Sequence, residues 1–319
     1  MAILAGIDEA GFGPLLGPLV VSCTAFSVDP SLVEADLWQS FKRSVGPSRK
    51  HLAGRLLIAD SKKAFDRSRG LGHLERTVLA VLRVLDKEPA NLHELLDVVC
   101  PDCVGRLVDY PWYRDVRRQA LPTDVADRRI AAHVLAGDMQ THGISLAALH
   151  SSCLDVAHYN TLVGNVRNKS NVLFIAAAGL IQKLLDAFPN DEVHVLIDRH
   201  GGRVHYRQHL MRSFPEMELK IVEEGPEAST YDLHGGARTV RLHFEIHADD
   251  RHLPVALASM VSKYLRELLM DCINRYFSTL DSGLEPTAGY WKDGLRFLEE
   301  VRTRLPDLDI DPHRLVRCR

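Results

Sequence analysis

Two acidic residues near the N-terminus are the first candidates for chemistry. Asp8 and Glu9 directly follow residues 3–7, an apolar run rich in branched residues that predicts a buried strand. Carboxylates at the end of a buried strand are costly unless a cation or hydrogen bonds compensate their charge. The pair therefore predicts a metal site, and the alternative is a solvated turn that carries two surface acids.

A stiff turn follows the two acids. It contains Gly11, Gly13, Gly17, Pro14 and Pro18, and residues 19–26 are apolar again, so two strands are predicted on either side of it. Such a turn allows another molecule to approach the backbone closely. A Walker phosphate loop is excluded because no Lys-Ser or Lys-Thr follows the glycines. A dinucleotide fingerprint is disfavoured because the next segment is typical of a strand, whereas that motif opens a helix.

A similar arrangement recurs later in the chain. Residues 192–197 predict a strand that ends on Asp198, and Gly201 and Gly202 turn the chain soon afterwards. A second carboxylate is thus delivered to a glycine turn, although an Asp that merely begins a turn is the alternative. The chain also has 16 histidines, of which His200 and His205 lie close by, but their spacing predicts surface residues and not metal ligands.

Composition places the chain among ordinary globular proteins. Of its 319 residues, 46% are hydrophobic and 25% are charged, and the formal net charge is −3. There is no global basic field, so any contact with nucleic acid must come from local clusters of Lys and Arg. This charge balance suits an enzyme that releases its product better than a protein that coats nucleic acid.

The cysteines and the N-terminal segment bear on the cellular compartment. Only Cys100 and Cys103 of the six cysteines lie close together, which predicts a reducing, cytoplasmic location and no disulfide scaffold. This pair has half of a zinc-knuckle spacing, so a structural zinc site stays open as an alternative. We expect no membrane contact, because the N-terminus lacks a basic leader and no stretch approaches the length of a membrane span.

Hydrophobic periodicity predicts the elements that position these residues. Strands are expected at residues 3–7, 19–26, 56–59, 143–154, 192–197, 220–222 and 239–246, and helices at 32–45, 73–85, 160–188, 254–277 and from 302. Residues 88–142 contain Tyr110, Trp112, Tyr113 and several arginines. This stretch is either a nucleic-acid-binding surface or a helical lobe with a small core of its own.

Residues 8–14 read Asp-Glu-Ala-Gly-Phe-Gly-Pro, and a second Gly-Pro follows at positions 17 and 18. This resembles the opening motif of the type 2 ribonucleases H, the ribonuclease HII and HIII family, in which an Arg stands where this chain has Phe12. Further segments resemble the family in the same order: Asp60-Ser61-Lys62-Lys63, residues 258–263 and Gly289-Tyr290. The resemblance covers roughly residues 2–26, 59–63, 160–200 and 247–298.

The resemblance implies an α/β, ribonuclease H-like fold. We expect a central five-stranded mixed sheet flanked by helices, with a C-terminal helical extension at about 278–319. The chain would form a single domain over residues 1–319, with an insertion at about 88–142 that the resemblance does not cover. The protein is expected to be a monomer.

The resemblance also implies a set of site residues. Asp8, Glu9, Asp198 and Glu267 would converge as catalytic and metal-binding acids, with Glu267 chosen because it lies four residues after Lys263. The alternatives are that Glu267 only pairs with Lys263 on the helix surface, or that Asp271 takes its role. The residues expected to bind nucleic acid are Gly11, Phe12, Gly13, Lys62, Lys263 and Tyr290.

The implied activity is hydrolysis of the RNA strand in RNA/DNA hybrids, or in DNA with embedded ribonucleotides. Four crowded carboxylates cannot all stay ionised without cations, which predicts two Mg²⁺ or Mn²⁺ ions during catalysis. Products would carry 5′-phosphate and 3′-hydroxyl ends. Phe12 lacks the charge of the family's Arg, which puts cleavage at a single embedded ribonucleotide in question. Two alternatives are a nuclease for another nucleic acid and a non-catalytic nucleic-acid-binding protein.

Overall fold

The computed structural model describes residues 1–65, 70–121, 124–236 and 238–318. Short 3-10 helices cover Pro30–Leu32, Pro111–Tyr113 and Val116–Arg118. The strands are β1 (Ala2–Ala10), β2 (Leu19–Val28), β3 (Val45–Gly46), β4 (Leu56–Leu57), β5 (Ser145–Leu154), β6 (Glu192–Asp198), β7 (Glu218–Glu224), β8 (Ala228–Gly235) and β9 (Arg238–Glu245). The α-helices are α1 (Leu37–Ser40), α2 (Ser61–Ala64), α3 (Gly72–Val84), α4 (Leu92–Val99), α5 (Pro101–Leu107), α6 (Val125–Thr141), α7 (Val156–Val166), α8 (Lys169–Ala187), α9 (Arg207–Ser213), α10 (Ala248–Arg251), α11 (Leu253–Leu280), α12 (Trp291–Arg304) and α13 (Pro312–Leu315).

A mixed sheet flanked by helices forms the centre, as predicted, but in the described residues it has seven strands instead of five. Their order is β5-β2-β1-β6-β9-β8-β7. Strands β1, β6 and β9 run parallel, and β2 is antiparallel to both β1 and β5. The antiparallel pair β7 and β8 extends the sheet beyond β9. Strand β8 was not predicted because it has no clear apolar alternation: polar residues such as Ser229, Thr230 and Asp232 are buried within it.

Helix α11 covers one face of the sheet and packs against β1 and β2. Its predicted extent, residues 254–277, is confirmed to within three residues at each end. The contact is close at Gly6, where an added Cβ would lie 2.2 Å from the backbone carbon of Pro254 and from the nitrogen of Val255. Thr24 donates a hydrogen bond of 2.7 Å to the Pro254 carbonyl beside it. Gly6 therefore sets how closely the start of α11 approaches β1.

Helix α8 packs its apolar residues, including Leu173 and Leu184, onto the other face of the sheet. The single helix predicted over residues 160–188 is wrong. Arg167 takes a left-handed conformation (φ 50°) that ends α7, and Asn168 then caps α8 by accepting from the Ser170 N–H. We expected no stretch of membrane-spanning length, but helix α8 is long and apolar enough to cross a membrane. Of its most apolar 18-residue stretch, 56% is buried inside the protein.

The described part of residues 88–142 does not form a lobe with a separate core. Leu92, Leu95 and Trp112 belong to the same hydrophobic core as α11, and the Trp112 ring lies 6.2 Å from that of Phe277 on this helix. The aromatic residues of this stretch are buried, so they offer no stacking surface to nucleic acid. Cys100 is also buried there, and its thiol accepts the N–H of Cys153 at 3.1 Å.

Substitution at Gly6 tests the close packing of α11 on the sheet. Gly6→Ala is expected to destabilise the protein by more than about 3 kcal/mol, because backbone atoms, which cannot rotate away, occupy the space of the new Cβ. Urea unfolding followed by circular dichroism measures the change.

Gly179→Ala provides the control. Gly179 is exposed on α8, and a Cβ added there would have no neighbouring atom within 4 Å. This variant is expected to gain up to about 1 kcal/mol, because Ala favours the helix. Equal stability of the two variants would show that the Gly6 contact does not constrain the fold.

Candidate active site

Asp8 and Glu9 leave β1 on opposite faces of the sheet, because side chains alternate along a strand. Asp8 is 6% exposed and lies on the face that α11 covers. The Glu9 N–H donates to Asp8 Oδ1 at 2.7 Å. The Ser262 hydroxyl of α11 donates to the Asp8 carbonyl at 3.0 Å and also contacts the Ser22 hydroxyl at 2.8 Å. These bonds fix the end of β1 against the helix.

Asp198 ends β6, the strand that pairs with β1, as the sequence predicts. Its Oδ1 accepts the Ala248 N–H at 3.0 Å, so the carboxylate lies at the start of the short helix α10. Asp249 on the same helix lies beside it and is 8% exposed. Asp249 was not among the predicted site residues, although the signal was present. The strand predicted at 239–246 leads directly to Asp249 and Asp250, much as the strand before Asp8 does.

Helix α2 contributes a further acid and a base. Asp60 caps this helix by accepting the Lys62 N–H at 2.9 Å. The Asp60 carboxyl also shares a hydrogen bond with Asp249. The Lys62 ammonium interacts electrostatically with Asp8, Asp198 and Asp249, so it belongs to the acidic cluster. It reaches the carboxylates from the α2 side.

The acids surround a cavity of about 190 Å³ at the glycine turn. Every residue predicted for the site lines this cavity, with the exception of Glu267. The lining residues are Asp8, Glu9, Ala10, Gly11, Phe12, Gly13, Pro14, Ser61, Lys62, Asp198, Asp249, Ser259, Lys263 and Tyr290. The structure therefore brings together residues that are up to 282 positions apart in the sequence (Asp8 to Tyr290).

Burial and the charges of neighbouring acids raise the pKa of Asp8, Glu9, Asp198 and Asp249. Burial raises the pKa of Asp8, and the charges of Glu9 and Asp198 raise it further. Burial and the Asp198 charge raise the pKa of Glu9 to about 8. Burial raises the pKa of Asp198, and burial with the charge of Asp60 raises the pKa of Asp249 to about 7. The cluster thus carries unfavourable negative charge that a divalent cation would compensate.

Glu267 is not part of this cluster. Its Oε1 accepts from Lys263 Nζ at 2.7 Å and from Arg266 Nη1 at 3.3 Å, and it lines a different cavity. It lies eight residues beyond Ser259, the α11 residue that bonds to Asp8, which is about 12 Å along a helix axis. The reserve candidate Asp271 pairs with Arg275 at 2.9 Å and is 52% exposed. The structure thus offers Asp249 as the fourth acid in place of Glu267.

The donor types at the cavity fit Mg²⁺ or Mn²⁺, which prefer carboxylate oxygens. Glu9 Oε2 is buried and has no hydrogen-bond partner, so one oxygen is available for a cation. Within residues 1–65, 70–121, 124–236 and 238–318, however, no three acidic, His or Cys side chains already converge as a formed metal site. Binding of an ion would therefore require the carboxylates to turn towards it.

Two buried arginines contact the glycine turn from the interior of the protein. Gly11 has φ 94°, and a Cβ there would lie 2.6 Å from Arg266 Nε, so this position favours glycine for both reasons. Arg317 donates to the carbonyls of Gly11 and Phe12, the second at 3.2 Å. Its guanidinium stacks 3.9 Å from the centre of the Tyr159 ring. The two arginines thus position the backbone of the loop.

The other residues predicted to bind nucleic acid differ in how exposed they are and in the partners they already contact. Tyr290 is 51% exposed at the rim of the cavity. Lys263 lines the cavity, but its ammonium is bonded to Glu267 and lies 4.6 Å from the centre of the Phe65 ring. Phe12 and Gly13 lie at the opening, with Phe12 half-buried. Their roles in binding stay predictions.

The raised pKa values predict how stability depends on pH without divalent ions. Folded protein retains protons on Glu9 and Asp249 up to about pH 8 and pH 7, whereas the unfolded chain releases them near pH 4. Because the folded state then binds more protons, the free energy of unfolding should fall as the pH rises from about 5 to about 8.5. Thermal unfolding in a chelator measures this slope, and Mg²⁺ should reduce it.

Two variants test the origin of that slope. Asp8→Asn removes one charge from the cluster, so it should flatten the slope and be more stable than the parent protein at pH 8. Asp281→Asn is the control, because pairing with Arg304 lowers the pKa of Asp281 to about 2, well outside this pH window. A slope that Asp8→Asn leaves unchanged would show that the cluster does not titrate as described.

A short part of this chain matches a known ribonuclease in sequence. Ribonuclease HII of Gluconobacter oxydans is 40% identical over 60 residues, which are 19% of this chain and 28% of that relative's length. The matched segment thus spans little more than a quarter of the relative. No family model matches the sequence.

Solved structures of similar proteins extend over the whole chain but are distant. The ribonuclease HII of Archaeoglobus fulgidus, solved in complex with PCNA, has 16% identity and a TM-score of 0.47, with 99% of this chain and 94% of that chain covered. Bst-RNase HIII, solved in complex with Mn²⁺, has 16% identity and a TM-score of 0.41, with coverage of 99% and 66%. Ribonuclease H2 of Pyrococcus horikoshii OT3 has 15% identity and a TM-score of 0.40, with coverage of 99% and 92%. The short sequence match is to a ribonuclease HII, one of the type 2 ribonucleases H that the opening motif of this chain resembles.

Proposed function

We propose that this protein is a metal-dependent endoribonuclease that hydrolyses the RNA strand of RNA/DNA hybrids or of DNA with embedded ribonucleotides. The observation that carries the proposal is the convergence of Asp8, Glu9, Asp198 and Asp249 at the glycine turn. These acids come from two strands and one short helix, and buried acids that repel one another are typical of divalent-cation sites. The 60-residue match to a ribonuclease HII supports the substrate class.

The four acids would hold two ions, Mg²⁺ or Mn²⁺. Such ions would activate a water molecule and stabilise the leaving 3′-oxygen, which would leave 5′-phosphate and 3′-hydroxyl ends. Asp8 is our choice for the residue shared between the ions, because it is the least exposed of the four acids. Lys62 would balance part of the acidic charge before an ion arrives and contact the phosphate backbone afterwards.

The glycine turn would recognise the ribose. Gly11, Phe12 and Gly13 line the cavity next to Asp8 and Glu9, so their backbone groups are placed to contact a 2′-hydroxyl, the group that distinguishes RNA from DNA. Tyr290 would contact the sugar from the adjoining segment, whose Gly289 carbonyl accepts from the Leu15 N–H of the turn at 2.7 Å. The ribose would thus lie between two segments that are hydrogen-bonded to each other.

We also propose that the protein acts as a monomer in the cytoplasm. All six cysteines are free thiols and five of them are buried, which suits a reducing compartment.

Paired substitutions test which acid completes the site. Asp249→Asn should lower the rate of Mg²⁺-dependent cleavage about a thousandfold or more, as Asp8→Asn and Asp198→Asn should, because several kcal/mol of charge stabilisation are lost. Glu267→Gln is the matched comparison and should retain activity within about threefold at a temperature where it is folded. Gel analysis of a labelled hybrid gives the rates. Loss of activity in Glu267→Gln but not in Asp249→Asn would instead identify Glu267 as the fourth acid of the site.

Matched duplexes test the activity itself. RNA/DNA, DNA/DNA and DNA with one embedded ribonucleotide are incubated with Mg²⁺, with Mn²⁺ and with a chelator, and Asp8→Asn serves as the negative control. We expect cleavage of the first and third duplexes only, dependent on the metal. Cleavage of DNA/DNA would indicate a nuclease with another substrate, and binding without any cleavage would indicate a non-catalytic nucleic-acid-binding protein.

A further inference from the structure

The lysines around the cavity differ in how far their charge is already neutralised. Lys62 reaches the carboxylates from α2, while Lys63 pairs with Asp250 at 2.5 Å and Lys263 pairs with Glu267 at 2.7 Å. A polyanion that approaches an acidic cluster needs cationic contacts to offset the repulsion. A cation on the α8 side would therefore matter to binding more than the neutralised lysines do.

Lys169, the first residue of α8, provides such a cation. Its ammonium lies 5.2 Å from the centre of the Phe12 ring, and Phe12 lines the cavity. Lys169 is exposed and forms no ion pair within the described part of the chain. An ammonium over an aromatic face is attracted by the ring while it keeps access to solvent and ligands. The ring thus orients the charge at the opening of the site.

The start of α8 is also tied to the turn that follows Asp198. Arg203 Nη2 donates to Asn171 Oδ1 at 2.6 Å, and its guanidinium lies 5.7 Å from the centre of the Tyr206 ring. Because Asn171 is in the first turn of α8, this bond links the position of Lys169 to the segment that carries Asp198. Lys169 is therefore held relative to both the glycine turn and the acidic cluster.

We propose that Lys169, oriented by the Phe12 ring, contacts a phosphate of the nucleic-acid backbone at the edge of the active site. This inference rests on the proposed function and adds a residue that the resemblance did not indicate. It also changes the interpretation of position 12. The chain has no cation on the glycine turn at Phe12, but it places one directly above that residue from a different element.

The salt dependence of binding tests this role. Affinity for a labelled RNA/DNA hybrid is measured by fluorescence anisotropy in the Asp8→Asn background with Mg²⁺, between about 50 and 200 mM salt. Each phosphate contact contributes about 0.9 to the slope of log K against log salt concentration. Lys169→Met should lower the slope by about that amount and weaken binding at low salt severalfold, without a change in melting temperature, because Met still covers the Phe12 ring.

Two further variants make the result specific. The first is the control Lys183→Met. Lys183 is on the same helix, about 21 Å from Lys169 along the axis, and its ammonium pairs with Asp102 at 2.6 Å. This control should leave the slope unchanged. Adding Phe12→Arg to Lys169→Met should restore the slope, because the new guanidinium returns a cation to the same edge.

The outcomes separate this inference from the proposed function. A slope that Lys169→Met does not alter, in a protein whose parent cleaves the hybrid, overturns the role of Lys169 alone. A reduced slope in a protein whose parent binds but does not cleave supports Lys169 and contradicts the nuclease activity. A parent protein that binds no hybrid overturns both.

Discussion

The repulsion among buried carboxylates at the ends of β1 and β6 is the constraint on which the rest of the site depends. Parallel pairing of these strands brings Asp8 and Asp198 to one edge of the sheet, and α10 adds Asp249. Each acid is less stable in its charged form than it would be in water. The fold tolerates this because strong local contacts fix the backbone: the Ser262 hydroxyl holds the end of β1, and the Ala248 N–H compensates part of the Asp198 charge. Stability is thus supplied by the scaffold, and the acids remain available to a cation.

The elements that bury one continuous apolar side could be predicted from the sequence. β1, β2, β6 and α11 were expected close to their observed bounds, because each has a long apolar pattern that ends at a turn or a polar residue. Helices α7 and α8 were expected as one, since the break depends on the left-handed backbone of Arg167, which no side-chain pattern reports. Strand β8 was missed because its buried polar side chains find their partners across the sheet, as Asp232 does with Arg241 on β9, and these pairings cannot be read from the pattern of β8 alone.

The acidic residues likewise divide into those that the sequence pattern revealed and those that it did not. Asp8, Glu9 and Asp198 could be singled out because they come directly after the apolar runs of β1 and β6. Asp249 also follows a strand, but the intervening His247 adopts a left-handed conformation that redirects the chain, and this turn is what brings the carboxylate to the cluster. Glu267 was chosen by its offset from Lys263. That offset places it about two helical turns beyond Ser259, whereas the acidic cluster lies at the level of Ser259.

The contact between Arg317 and the glycine turn links segments about 300 residues apart in the chain. Gly11 and Phe12 are synthesised about 300 residues before the guanidinium that holds their carbonyls. Leu16 likewise forms a β-bridge with Val316, which is synthesised 300 residues later. The sheet and α11 can assemble earlier, but the loop that shapes the opening reaches its final form only after residue 317 has left the exit tunnel. The opening of the cavity is therefore completed by a segment that is synthesised about 300 residues after the loop itself.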